Sequence, residues 1–123
     1  MKALFAILLV ITAASASAKS GNELLLELRS TDASDRLIAH AYIIGVLDTD
    51  QAFFVQKALQ TPLFEDFKKA RVNFICSPDE ATGTQALDLV AKHLEQNPET
   101  RHLMASILVR RALFRAWPCR ENP

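Results

Sequence analysis

The chain has 123 residues, half of them hydrophobic and 23% charged, with acidic and basic side chains in equal number. That balance argues against a nucleic-acid binder, which needs a net basic face, and it removes the electrostatic case for anionic lipid. Only three glycines among long stretches of helix-forming residues point to an all-α fold.

The N-terminus reads as a secretory signal. Met1 and Lys2 give a positive start, residues 3–14 are apolar apart from Thr12, and Ala16-Ser17-Ala18 is a small-x-small cleavage site. The apolar run is about a dozen residues, short of the roughly 20 that span a bilayer, so no stable membrane insertion is expected. Residues 1–18 are therefore read as a cleaved signal peptide and residues 19–123 as a single helical domain, with no repeat or linker to divide them. In an exported protein, the even pair Cys76 and Cys119 argues for a disulfide.

A short first helix is expected over about residues 22–28, on the stripe Leu24, Leu25 and Leu28. Asp32 offers an N-cap to a long second helix from Ala33 to about Leu59. Its first half, Leu37 to Leu47, is apolar on almost every side. That predicts a central helix packed on several faces, with His40 a core histidine bonded to a carbonyl. Gly45 in this stretch costs about 1 kcal/mol relative to Ala, so a close helix crossing is expected there.

Thr61-Pro62 signals a third helix, reaching to about Arg71, and residues 72–75 read as an extended connector. Thr82-Gly83-Thr84-Gln85 fits a capping box that opens a fourth helix ending at Gln96. Asn97-Pro98 repeats the cap-then-proline signal and opens a fifth, which carries Leu103, Met104, Ile107, Leu108, Leu113 and Trp117 until Pro118 stops it. The expected architecture is a small bundle of about five helices with a long central helix. Its one disulfide would staple the entrance of the fourth helix to the exit of the fifth.

Catalytic chemistry finds few candidates. His40, His93 and His102 lack the close-set partners that a metal site wants, and His93 and His102 are expected in solvent. Both cysteines are claimed by the bridge, and no serine sits in a glycine elbow. Asp48/Asp50 and Asp79/Glu80 read as solvated charge. Arg110, Arg111 and Arg115 suit the negative end of the last helix's dipole. The residues describe a binding protein rather than an enzyme, with no metal or cofactor called for.

The order of several elements carries a resemblance. They are Gly21-Asn22 with Leu25 and Leu28, then Tyr42-Ile43-x-Gly45-Val46-x-Asp48, then Cys76-x-Pro78 leading to Ala81-Thr82-x-x-Gln85. Val90, Leu94, Pro98 and Ala105 follow, and the end reads Leu108-Val109-x-x-Ala112-Leu113-x-x-Ala116-Trp117-Pro118-Cys119. Over residues 21–119 the protein resembles the Tai/Rap-type immunity proteins, which neutralise peptidoglycan amidase effectors delivered by bacterial type VI secretion.

The resemblance implies a periplasmic inhibitor, often a homodimer, that binds its cognate amidase and fills the Cys/His active-site cleft with a protruding loop. Here the matching position is the connector 71–80. Arg71, Asn73, Ser77, Asp79 and Glu80 are then the partner-binding candidates, the last two poised for a catalytic histidine or a basic rim. Anchorage at Cys76 lowers the entropy cost of presenting the loop. Relatives often carry a second cysteine pair where this protein has Arg29 and Ala39, so its first helix is expected to be held by packing alone. Two other readings of a small exported helical domain stay open: a periplasmic stress chaperone and an envelope adaptor.

Overall fold

Two capping boxes fix where helices begin. At Ser20 the hydroxyl accepts from the Glu23 N–H while the Glu23 carboxylate accepts from the Ser20 N–H. Thr82 and Gln85 make the same reciprocal pair. Each box satisfies backbone donors that a helix start leaves open. In the computed structural model, which describes residues 17–60 and 71–120, these boxes open α1 (Gly21–Arg29) and α3 (Gly83–Gln96). The long α2 (Ala33–Gln60) lies between them and α4 (Ala105–Ala116) follows, so the described residues form an all-α fold of four helices with no named strand. The helix expected from Thr61-Pro62, and nearly all of the signal segment, lie outside the described residues.

The core forms where one face of each helix converges. Leu24 and Leu25 come from α1, Ala39 and Ile43 from α2, Ala86, Val90 and Leu94 from α3, and Leu108, Val109, Ala112 and Leu113 from α4. The spacing on α3 and α4 is that of amphipathic helices.

Helix α1 is held by more than packing. Ala105 donates its N–H to the Lys19 carbonyl at 2.7 Å, Gly21 donates to Leu103 at 3.0 Å and Asn22 to Arg101 at 2.9 Å. Gly21 is the residue that lets these backbones meet: a methyl group there would stand 2.4 Å from Leu108 Cδ1 and 2.9 Å from the Arg101 carbonyl. Arg29 pairs with Glu95 on α3, and Ala39 is fully buried.

Five expectations are corrected. Helix α2 is not surrounded: among the described residues it buries Ala39, Ile43 and Asp50, while Leu37 and Ile38 are 66% and 52% exposed. Gly45 serves no crossing among the described residues, none of which lies within 4 Å of where its Cβ would be. His40 is half-buried against Gly83 rather than bonded to a carbonyl, and the buried histidine is His93 on α3, which was expected in solvent. Finally, Asn97-Pro98 opens only a 3-10 turn, Pro98–Thr100. The Asn97 side chain makes no cap there but turns back to the His93 carbonyl, so the last helix waits until Ala105.

Candidate binding surface

The connector leading into α3 has extended backbone at Ile75 that pairs with the C-terminal segment. Ile75 bridges Pro118, Cys76 donates its N–H to the Trp117 carbonyl at 2.8 Å, and Cys119 donates to the Phe74 carbonyl at 3.2 Å. The Cys76–Cys119 disulfide closes this ladder, with the two Cα atoms 4.9 Å apart. The expected staple between the entrance of α3 and the exit of α4 is therefore present.

A polar clamp fixes the same segment to the middle of α2. Asp50, 5% exposed, accepts the Ile75 N–H at 2.9 Å on one oxygen and the Arg110 Nε–H at 3.0 Å on the other. Arg110 also donates to the Asn73 carbonyl, and Gln51 donates to the Ile75 carbonyl at 2.9 Å. Edge-on contact of the Phe54 and Phe74 rings, with centroids 5.4 Å apart, adds an apolar brace. Asp50 is thus no solvated charge, and Arg110 is an ion-pair partner rather than only a complement to a helix dipole. A carboxylate at the boundary between α2's apolar and polar halves was visible in sequence, but its partner 60 residues away was not.

The tip stands clear of this base. Pro78, Asp79 and Glu80 are exposed in a turn closed by the Ala81 N–H donating to the Pro78 carbonyl at 2.9 Å. Beside it runs a groove of about 390 Å³ whose lining includes Pro78, Glu80, Gln85, Asp88 and Trp117. Glu80 and Asp88 make it acidic, while Leu89 and Trp117 give it apolar surface.

The sequence-predicted residues therefore separate. Asp79 and Glu80 lie together at the exposed tip, and Asn73 is exposed at the base. Arg71 and Ser77 turn inward, with the Arg71 Nε and the Ser77 Oγ buried and without hydrogen-bond partners. Arg71 also has a guanidinium nitrogen 4.0 Å from Cys76 Sγ. Sequence reasoning missed Gln85 and Asp88, which reach the groove from the first turns of α3, and Trp117, which enters from the end of α4.

Among the described residues, no group of histidine, cysteine or acidic side chains is placed to hold a metal, and no helix is long and apolar enough to cross a membrane. No curated protein and no solved structure gives a match to the sequence. The family comparison does: the chain belongs to the Rap1a immunity proteins, whose family model matches residues 20–119.

Proposed function

We propose that this immunity protein is exported to the periplasm and binds a peptidoglycan amidase effector of type VI secretion, seating the Pro78–Glu80 turn in the enzyme's Cys/His cleft. The observation that supports this most is the contrast between tip and base. Two exposed carboxylates project from a segment fixed by a disulfide and by the buried Asp50 clamp. A tip held in its bound conformation loses little entropy on docking, which favours affinity. Its charge suits a catalytic imidazolium or a basic rim. The action is stoichiometric occlusion, so the inhibitor itself needs no catalytic group.

A second copy is the occupant we assign to the outer face of α2. Leu37, Ile38 and Ala41 are exposed there beside Gly45, which has open space around it. A two-fold axis would bring two such faces together, with glycine allowing close approach. Dimers are also what the resemblance implies.

The test is co-expression in a cell whose periplasm receives the neighbouring gene's product or, in turn, each of a panel of type VI amidases. Rescue from lysis that disappears when residues 1–18 are deleted supports the reading. Asp79→Ala/Glu80→Ala should lower inhibition of the purified amidase at least about tenfold, the effect of losing one or two charge-assisted contacts. Full inhibition by that variant would refute the tip's role. Gel filtration with light scattering tests the dimer, which Ile38→Glu should convert to monomer.

A further inference from the structure

The expected cleavage site lies against the fold with no slack. Ser17 and Ala18 are exposed, Lys19 and Ser20 are half-buried, and Gly21 is buried. The first anchored atom follows directly, since the Lys19 carbonyl accepts the Ala105 N–H at 2.7 Å. Ser20 then bridges Met104, Gly21 donates to the Leu103 carbonyl at 3.0 Å, and α1 starts at that same glycine. The Lys19 side chain is held too. Its Nζ lies 2.7 and 2.6 Å from the two Glu27 carboxylate oxygens and 5.0 Å from the centre of the Tyr42 ring.

A peptidase that cuts after Ala18 has to take up chain on both sides of that bond. Bound peptides are commonly read in extended form, through main-chain hydrogen bonds and pockets for alternate side chains. Here the backbone just beyond the bond is already paired with residues 103–105, and Gly21 is helical. To enter an active site, residues 19–21 must leave that segment, open the Ser20/Glu23 capping box and release Glu27. Burial and hydrogen bonding of the backbone decide such access, not nearness to a terminus. Cleavage of the folded protein then proceeds only through the fraction in which the start of α1 is undocked.

We infer that docking of residues 19–21 closes the bond between Ala18 and Lys19 to a signal peptidase, so that cleavage precedes the docking of α1. Hydrolysis takes up one water and leaves a carboxylate on Ala18 and a new amino group on Lys19. A protein that folds first keeps that bond and stays attached to its leader. The inference rests on the export reading and not on the identity of the partner.

The experiment uses a purified bacterial signal peptidase in detergent, with the folded, oxidised precursor as substrate. A synthetic peptide of residues 1–24 is the unfolded reference. The second folded substrate is a precursor with a Gly-Ser linker of about six residues between Ala18 and Lys19. That linker supplies up to roughly 20 Å of extended chain and leaves every anchoring contact in place. Mass spectrometry locates each cut, and circular dichroism confirms the fold of both precursors. The native precursor should be cut after Ala18 at least about tenfold more slowly than the linker precursor, as expected for an undocked fraction below about one in ten. A native precursor cut as fast as the linker precursor would overturn the inference and leave the export reading standing. Resistance of both precursors with the peptide cut would also overturn it, since the protection would not come from missing slack. An uncut peptide would remove the export reading, and the inference with it.

Discussion

Asp50→Ala tests whether the connector is held from α2. The substitution removes the acceptor of the Ile75 N–H, and Ile75 is almost fully buried, so water cannot replace it. An orphaned buried N–H costs about 1–3 kcal/mol. The lost pair with Arg110 adds no more than about 1 kcal/mol, because that side chain is 47% exposed and keeps its bond to the Asn73 carbonyl. The sum is about 1–4 kcal/mol, a lowering of Tm by roughly 5–25 °C for a domain of this size. Urea unfolding of the oxidised protein gives the free energy directly, with Asp48→Ala, an exposed acid two residues away, as the control expected within about 0.5 kcal/mol of zero. Asp50→Asn, which keeps one acceptor, should fall between the two. If Asp50→Ala costs no more than Asp48→Ala, the carboxylate does not hold Ile75 and the clamp must be abandoned.

Replacing both cysteines with serine opens a loop of 43 residues, for which the chain-entropy model gives about 4 kcal/mol; a loss below about 1 kcal/mol in urea unfolding would show that the bridge constrains the unfolded state little. Gly21→Ala should destabilise by about 1–3 kcal/mol through overpacking against Leu108 and the Arg101 carbonyl. Gly45→Ala, measured at concentrations where the protein is monomeric, should instead gain up to about 1 kcal/mol, since the new methyl meets none of the described residues. Because His93 has its pKa lowered by burial and by Arg111 and Arg115, the unfolded protein takes up that proton first. Its contribution to stability is complete above about pH 6.5 and is lost as the pH falls through the lower folded-state value. Tm measured from about pH 7.5 down to about pH 5 should therefore drop more steeply for the native protein than for His93→Gln.

What was legible in the sequence was what short-range pattern encodes. The Thr82/Gln85 box, the apolar stripe of α3 and the stop at Pro118 all lie within a few residues of the structure they specify, and they appear where expected. The Ser20/Glu23 box has the same signature and opens α1 at Gly21, one residue before the expected start. The Asn97-Pro98 signal misled because asparagine has two uses at a helix boundary. Its amide can cap the helix that follows or close the one that precedes, and here it does the second. The breadth of the apolar surface on α2 was read correctly and its burial was not. A sequence cannot say whether such a surface faces its own molecule or another. Of the candidate surface, the exposed acidic tip was legible because Asp79 and Glu80 are adjacent in sequence. Asp50 and Arg110 were missed as a pair because only the fold brings them together.

The two devices at the base of the connector act on different states of the protein. A disulfide restricts the unfolded ensemble and raises stability wherever its ends lie in the fold. By itself it leaves the direction of the following turn open, because one covalent link permits rotation. The Asp50 carboxylate acts on the native state. It accepts the Ile75 N–H from one side while Gln51 donates to the carbonyl of the same residue, so both backbone groups of Ile75 are taken from a single helix. Together with the ladder to Trp117 and Cys119, this fixes the plane of the peptide from which residues 76–80 depart. Stability and orientation are then separable properties. Reducing the disulfide should lower the first more than the second in whatever protein remains folded, and removing Asp50 should disturb the tip's aim even at temperatures where the protein stays folded. On the proposed mode of action, in which two carboxylates are presented to a cleft, that aim is what binding depends on most, and it would give a physical reason for a buried charge in so small a core.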